Sequence, residues 1–197
     1  MSVFLWATGL ALCVRLFLVE DYRVLSDSML PSLLSGDLVF VSKAHYNVRL
    51  PFSTYELFKI NKPKRGEVVV FSLPGHGMET YIKRVVALEG DEVSIRKGEL
   101  YVNGKSAMAS TAPTATESFD GGLPHALLWD KKDVPDYGPV LVPQGHFFAL
   151  GDNRVQSLDS RNFGPVPLSC LKGKVSLIWL SVGPQGVRSD RFGWIRS

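Results

Sequence analysis

Short apolar runs separated by turn residues recur along the chain after Asp21, and they limit the fold more than any other feature of the sequence. The runs contain many Val, Ile, Phe and Tyr residues, and Gly, Pro, Asp and Asn lie between them, as is typical of β-strands joined by turns. Only Thr54–Ile60 suggests a short helix. The sequence therefore predicts a mostly β fold, with strands at Leu38–Val41, Glu67–Phe71, Tyr81–Leu88, Glu92–Ile95, Leu100–Val102, Phe147–Leu150 and Val175–Leu180.

The N-terminal segment differs from this pattern, because Ser2–Val19 is almost wholly apolar and Arg15 is its one charged residue. As a helix the segment would span about 27 Å, just short of a hydrocarbon core of roughly 30 Å. Arg15 lies about one turn from the end, so its side chain could reach the membrane surface. We predict a transmembrane anchor over residues 1–20. A cleaved secretory signal is the alternative, although a basic region and a clean cleavage site before Glu20 are both missing.

Composition restricts the classes of function. The chain has 197 residues, of which 45% are hydrophobic and 21% charged, which is typical of a globular protein and excludes collagen, a coiled coil and wholesale disorder. Two cysteines cannot form a disulfide framework, and no Cys/His cluster has metal-ligand spacing. The net charge of +3 comes from scattered Lys and Arg, so we expect no nucleic-acid partner. We also expect no metal and no cofactor.

Two stretches lack the strand pattern. Ser106–Tyr137 consists mainly of Ala, Ser, Thr, Pro and Gly, which predicts an insertion or a mobile excursion. The tail from Ser181 onward suits either a membrane interface or a last edge strand, and both interpretations stay open. It combines basic and apolar side chains, namely Arg188, Arg191, Phe192, Trp194, Ile195 and Arg196.

The histidines offer no obvious general base. His45 and His76 lie in loop-like stretches, His125 in the low-complexity region and His146 just before a predicted strand, and none belongs to a catalytic motif. A nucleophile elbow and a Gly-rich phosphate loop are also absent from the sequence. Serine chemistry in this chain would therefore need a different base.

Three polar blocks hold the residues that could do chemistry. The first, Ser26–Leu33, is a serine-rich turn, and the third, Gly151–Arg161, is a long polar turn after an apolar run. In the second, Tyr81–Val86, strand alternation places Lys83 and Arg84 on opposite faces. Because two adjacent cations on opposite faces of a packed sheet cannot both be well solvated, at least one of them is expected to have a function.

The three blocks in this order, behind an N-terminal apolar helix, resemble the type I signal peptidases, the membrane-bound Ser/Lys leader peptidases. The resemblance extends from about Arg15 to Leu180. Each matching segment alone is weak evidence for the family, but nine segments in the same order are strong evidence. The segments are SDSMLPSL, GDLVFVSK, YNVRLPFS, KRGEVVVF, YIKRVV, EGDEV, YVNGK, GDNRVQSLDSR and KGKVSLIW.

The resemblance implies that Ser28 is the nucleophile, that Lys83 is the general base, and that Ser26 donates a hydroxyl hydrogen bond to the oxyanion beside the Ser28 backbone N–H. A lysine is a base only when neutral, and its reference pKa of about 10.4 leaves roughly one in 2,500 neutral at pH 7. Burial among apolar side chains can lower that pKa by several units. In an extended segment Ser26 and Ser28 would face the same way, with Asp27 pointing opposite.

Further roles follow from the same resemblance. Ser157 would orient the lysine amine, and Asp159 and Arg161 would support the site. Leu25 and Asp27 depart from the family's usual proline and small residue, within the segment that binds substrate. Shallow pockets for small residues at the first and third positions before the cut would be lined by Tyr22, Val24, Leu25, Met29, Leu33, Val39, Val70, Tyr81 and Ile82. For Val39 and Val70, simple core packing is the alternative.

The resemblance implies packed antiparallel sheets of the signal-peptidase type with one N-terminal transmembrane helix. The predicted parts are an anchor (1–20), a catalytic β core in two pieces (21–103 and 143–182), a small insertion (104–142) and a basic, aromatic tail (183–197). The implied activity is endoproteolytic removal of N-terminal signal peptides from exported preproteins, so the expected partners are signal peptides and the lipid bilayer. The expected location is the bacterial inner membrane, single-pass, with the catalytic domain on the extracytoplasmic side. A dedicated maturation peptidase with few substrates and an inactive membrane-tethered scaffold stay open as alternatives.

Overall fold

The computed structural model describes residues 4, 6–8, 18–49, 56–73, 79–111, 114–130 and 133–195. Residues 4 and 6–8 are helical. The other regular structure consists of strands, 3₁₀ turns at Lys43–His45, Leu168–Cys170 and Ser189–Arg191, and a short helix α1 (Ser160–Phe163). The first strands are β1 (Val19–Arg23), β2 (Asp37–Ser42), β3 (Asn47–Arg49), β4 (Glu56–Lys59), β5 (Val68–Phe71), β6 (Tyr81–Leu88), β7 (Glu92–Arg96), β8 (Glu99–Val102) and β9 (Lys105–Ser106). The later strands are β10 (Met108–Ser110), β11 (Thr116–Glu117), β12 (His125–Ala126), β13 (Tyr137–Leu141), β14 (His146–Leu150), β15 (Val166–Pro167), β16 (Leu171–Gly183), β17 (Gly186–Val187) and β18 (Gly193–Trp194).

Antiparallel pairing organises these strands. Within the described residues, a nine-stranded sheet has the order β1-β2-β16-β5-β6-β14-β15, with β17 and β18 paired to β16. The other described sheets have the orders β13-β7-β8-β9, β10-β11-β12 and β3-β4. The predicted mostly β fold of antiparallel sheets is confirmed, and each of the predicted strand segments coincides with or lies within an observed strand, apart from Glu67 at the start of β5.

The central strands β5, β6 and β14 of the large sheet are buried on both faces, which explains their continuous apolar runs. Along β5, Val68 and Val70 pack into one core cluster, whereas Val69 and Phe71 pack into another on the opposite face. The first cluster lies beneath the segment that carries Ser28 and contains Met29 and Leu33. The sheet therefore fixes β6 and the Ser28 segment against the same packed layer.

The predicted helix at Thr54–Ile60 is wrong in its described part. Residues Glu56–Lys59 form β4, which pairs antiparallel with β3 through Val48 and Phe58. Pairing with a neighbouring strand overrides the weak local helix preference of so short a segment. Thr54 itself lies outside the described residues.

The low-complexity region contributes to the core, which its composition did not predict. Strands β10, β11 and β12 form a small sheet, and Phe119 and Leu127 are buried. Phe119 joins Val86, Phe148 and other residues in a third core cluster. The described residues of this region are therefore packed against the large sheet instead of forming a separate excursion.

The two ends of the chain differ in how far they are described. Most of the predicted anchor, 1–20, lies outside the described residues. Among the residues that are described, no helix combines the length and apolar character needed to cross a bilayer. At the other end, β18 pairs with β16, with Trp194 opposite Leu177, so the tail provides an edge strand as one of its two interpretations predicted.

Candidate active site

Ser28 lies in a tight turn. The backbone N–H of Leu30 donates to Asp27 O at 3.2 Å, and that of Leu33 donates to Met29 O at 2.9 Å. Met29 and Leu33 are fully buried and anchor the turn to the core. The sequence predicted an extended segment in which Ser26 and Ser28 face the same way. The backbone instead forms a turn, because hydrogen bonds within the segment close it. The two hydroxyls nevertheless meet, with 3.1 Å between Ser26 Oγ and Ser28 Oγ.

Lys83 reaches Ser28 from the middle of β6. Its Nζ lies 2.7 Å from Ser28 Oγ and 3.0 Å from Ile82 O, and the residue is only 4% exposed. Burial lowers the pKa of the Lys83 amine to about 8, although the carboxylates of Asp159 and Asp152 oppose the shift. About one lysine in ten is then neutral at pH 7, compared with roughly one in 2,500 for a solvated lysine.

Arg84, the second cation of this block, is buried on the other side of the strand and holds the third polar block in place. Its guanidinium donates to both carboxylate oxygens of Asp152, at 2.9 and 2.7 Å. It also donates to Gly66 O at 2.6 Å and to Ser32 Oγ at 3.3 Å. Both adjacent cations are thus buried and hydrogen-bonded, one beside a serine hydroxyl and the other in an ion pair.

The polar loop 151–156 holds the Ser28 turn directly. Asn153 donates its backbone N–H to Ser28 O and its side-chain Nδ2 to Asp27 O, both at 3.1 Å. Asp152 and Asn153 are nearly inaccessible to solvent. The loop therefore fixes the backbone carbonyls before and after the Ser28 side chain, which limits the movement of the Ser28 hydroxyl.

Asp159 and Arg161 form an ion pair that is hydrogen-bonded to the start of this loop. Arg161 donates to both oxygens of Asp159 at 2.8 Å, and Asp159 also accepts the Gly151 N–H at 3.0 Å. Burial raises the pKa of Asp159, but the hydrogen bonds and charge of Arg161 outweigh that effect and hold it below its ordinary value. Asp159 is therefore ionised at neutral pH, and it also caps α1.

Ser157 makes no hydrogen bond to the lysine amine, which the resemblance implies that it orients. The hydrogen bonds of Lys83 Nζ go to Ser28 and Ile82. Ser157 Oγ is buried and close enough to Asp159 to help lower the pKa of that carboxyl. The hydroxyl is nevertheless not oriented to form a hydrogen bond with any described residue. The role of Ser157 in orienting the amine stays a prediction.

A cleft of about 930 Å³ opens beside Ser28 and Lys83. Its walls include Tyr22, Val24, Leu25, Tyr81 and Ile82, as predicted for substrate-binding residues. Four other predicted residues are buried in the core beneath the turn and do not line the cleft, namely Met29, Leu33, Val39 and Val70. Within the described residues, no group of three or more His, Cys, Asp and Glu side chains could hold a metal ion.

Comparison with known proteins identifies the family. The model of the family described as signal peptidase, peptidase S26, matches residues 1–180. The chain belongs to this family. The resemblance drawn from the sequence motifs is confirmed, and the protein is a serine peptidase of the S26 family.

Several similar S26 relatives are curated as signal peptidase I. The relative from Pseudomonas fluorescens is 34% identical over 195 residues, which cover 87% of this chain and 68% of the relative. The relative from Bacillus caldolyticus is 35% identical over 175 residues, covering 86% of each chain. A solved structure of a signal peptidase I from Enterococcus faecalis is 31% identical, with a TM-score of 0.40, and the match covers 59% of this chain and 98% of that chain.

Sequence reasoning missed some residues that shape the site of this S26 peptidase. It assigned no role to Asp152 or Asn153, although both lie in the polar block and hold the Ser28 turn. The signal available was the dense polar sequence directly after the apolar strand β14. Charged residues of the cleft wall, Arg23 and Glu79, carried no motif and could not be found from the sequence.

Proposed function

We propose that this chain is a membrane-bound serine endopeptidase that removes N-terminal signal peptides from exported preproteins, with Ser28 as nucleophile and Lys83 as general base. The observation that carries the proposal is the 2.7 Å contact between Lys83 Nζ and Ser28 Oγ, at a lysine that is only 4% exposed. Several relatives at about one-third identity are named signal peptidase I. These two facts together favour signal-peptide cleavage over other serine chemistry.

Catalysis begins with a neutral lysine. The Ser28 hydroxyl donates its proton to the lone pair of Lys83 Nζ as Oγ attacks the carbonyl carbon of the scissile peptide bond. The lowered pKa of the Lys83 amine makes this form available near neutral pH. The resulting ammonium remains close to Asp159 and Asp152, whose carboxylates favour the charged form of the amine.

The negative charge on the substrate oxygen needs donors in place before the reaction. Ser26 Oγ, 3.1 Å from Ser28 Oγ, and the Ser28 backbone N–H are the groups we assign to this role. Each such donor contributes about 3 kcal/mol to the stabilisation of the tetrahedral intermediate. When the intermediate collapses, the Lys83 ammonium returns its proton to the leaving amine and an acyl-enzyme ester forms on Ser28. Water, deprotonated by Lys83, then hydrolyses the ester.

The cleft supports recognition of an extended peptide beside these groups. Its apolar wall contains Val24, Leu25 and Ile82, which suit small apolar side chains of the substrate. Asp27 also lines the cleft, with its side chain exposed. The carboxylate of Asp27 is thus solvated, and it is not among the groups that shift the pKa of Lys83.

Membrane attachment follows from the apolar segment Ser2–Val19, which is close to the length needed to cross a bilayer. Anchoring enzyme and substrate to one membrane surface raises their effective concentration. The active site must then face the side on which the cleavage site of the preprotein emerges, which is the extracytoplasmic side.

The proposal is tested with purified full-length protein in detergent and a preprotein substrate. Wild type, Ser28→Ala and Lys83→Ala are compared, and Lys62→Ala serves as a matched control because Lys62 is exposed on the surface. We expect the wild type and the control to process the precursor and the two other variants to lose nearly all activity. Mass spectrometry of the products gives the cleavage position.

Equal processing by all four proteins would overturn the proposed Ser28/Lys83 chemistry. A wild type that cleaves none of a panel of unrelated preproteins would overturn the general signal-peptidase activity. Cleavage of only one member of that panel would favour the dedicated maturation peptidase, which uses the same two side chains.

A further inference from the structure

The segment from 104 to 142, here called the insertion segment, contacts the loop that holds the nucleophile. Leu128 donates its N–H to Asp152 O at 3.0 Å, and Arg154 donates its N–H to Leu128 O at 2.9 Å. Leu128 thereby forms a parallel β-bridge with Asn153. Asn153 in turn donates to Ser28 O. Asn153 is therefore the single residue that links the insertion segment to Ser28 by backbone hydrogen bonding.

A buried ion pair strengthens the same connection. Glu117, in β11 of the insertion segment, accepts hydrogen bonds from both terminal nitrogens of Arg154, and both side chains are only 1% exposed. The remaining Nε of Arg154 donates to Gly151 O at 3.0 Å. The guanidinium therefore joins β11 to the first residue of the 151–156 loop.

His125 fills the space between this pair and the pair formed by Arg84 and Asp152. It lies opposite Glu117 in the β11–β12 pairing, and its Nε2 is 3.9 Å from Glu117 Oε2 and from Asp152 Oδ1. Burial, with Arg84 nearby, lowers the pKa of His125 to about 3, so the ring is neutral. Two cations and two anions thus surround a neutral ring, and the buried cluster carries no net charge.

We propose that Glu117 is a positioning residue for the peptidase reaction, which acts through Arg154 and the 151–156 loop to hold the Ser28 hydroxyl at Lys83. The inference deepens the proposed function and rests on it for the identity of the reaction. The insertion segment then contributes to catalysis, because its ion pair positions the Ser28 hydroxyl in addition to stabilising the fold.

The chemistry of the pair supports a positioning role. A buried ion pair is often no more stabilising than well-packed apolar residues of similar volume. The guanidinium, however, forms directional hydrogen bonds to Glu117 and to Gly151 O at the same time, which an apolar side chain cannot do. Loss of this link lets the loop and the Ser28 carbonyl shift, and a displacement near 1 Å costs on the order of 100-fold in rate.

The first test compares Glu117→Gln with Asp133→Asn, a control that removes an exposed carboxylate from the same segment. For Glu117→Gln we expect kcat to fall about 10-fold to 100-fold while KM changes by less than about twofold, because the Ser28 turn moves relative to Lys83 while the apolar cleft wall of Val24, Leu25 and Ile82 stays in place. The control should keep wild-type kcat. Measurements are made at a temperature where circular dichroism shows each protein folded.

A double variant, Glu117→Leu/Arg154→Met, keeps the test decisive if Glu117→Gln fails to fold. It removes both charges and their hydrogen bonds while filling the space with apolar atoms. We expect a folded protein with reduced kcat. Wild-type kcat in a folded double variant or in folded Glu117→Gln would overturn the inference.

Hydrogen exchange provides a readout that does not depend on activity. In either variant, peptides that cover 26–33 and 151–157 should exchange faster than in wild type, whereas a peptide from 171–180 should not change. Unchanged exchange in the first two peptides would overturn the inference even if the wild-type chain cleaves no signal peptide. An inactive wild type with the expected exchange would instead contradict only the proposed function.

Discussion

Replacement of Gly151 by alanine tests how closely the loop and the nucleophile are fitted together. A Cβ at this position would lie 2.2 Å from Ser157 Oγ and 2.4 Å from Ser28 O. Ordinary contacts of a Cβ lie at 3.4–4 Å, so the loop or the Ser28 turn must move by about 1 Å. Since misplacement on this scale costs on the order of 100-fold in rate, we expect kcat of Gly151→Ala to fall by that factor.

The assay measures kcat and KM for a signal-peptide substrate in detergent, with folding checked by thermal denaturation. Gly122→Ala is the matched control, because its new Cβ would meet only Phe119 O at 3.1 Å, away from the dyad. We expect the control to retain activity. If folded Gly151→Ala keeps kcat within about twofold of the control, then the tight fit between loop and nucleophile is not needed for catalysis.

Three further predictions concern pH, the C-terminal tail and Ser157. Because burial lowers the pKa of Lys83 to about 8 and only the neutral amine is a base, kcat should rise with pH through an apparent pKa near 8; a rise only near 10 would contradict this. Burial raises the pKa of Asp37, but hydrogen bonds from Arg191 and Ser181 outweigh it, so the stability that ionised Asp37 provides is present above its unfolded pKa and is lost as pH falls through the lower folded pKa. Arg191→Ala should reduce the unfolding free energy at pH 7 by about 2 kcal/mol in urea denaturation, less than for a fully buried pair because Arg191 is partly exposed, and an unchanged value would refute the pairing. Ser157→Ala should lower kcat with little change in Tm, since its Oγ makes no hydrogen bond; unchanged kcat would reject the orienting role.

Apolar runs were sufficient to predict seven of the strands, and the order of the motifs was sufficient to predict the pair at the centre of the site. The central strands are buried on both faces, so runs such as Val68–Phe71 and Phe147–Leu150 stand out by composition alone. Ser28 and Lys83 lie in short motifs that resemble a known family, and the structure brings them to 2.7 Å although 55 positions separate them. Motif order, and not any property of the single residues, predicted that proximity.

The remaining features depend on contacts between distant segments, which a single sequence does not encode locally. Glu117 lies in a polar, low-complexity stretch, and its burial follows only from pairing with Arg154, 37 positions later. The same reason explains why Val39 and Val70 could not be assigned to the cleft or the core beforehand, since an apolar side chain suits both. β4 is a strand because β3 pairs with it, which its own residues did not indicate.

The central claim is that burial lowers the pKa of Lys83 far enough to give a usable fraction of neutral amine near neutral pH, while the amine contacts the Ser28 hydroxyl. The most direct measurement is an NMR titration of full-length protein in detergent with labelled lysine, in which the Lys83 resonance is assigned by its loss in Lys83→Ala. The account predicts that the Lys83 amine titrates with a pKa of about 8, well below the reference value of about 10.4 for a solvated lysine. A Lys83 pKa near the reference value of about 10.4 would contradict it.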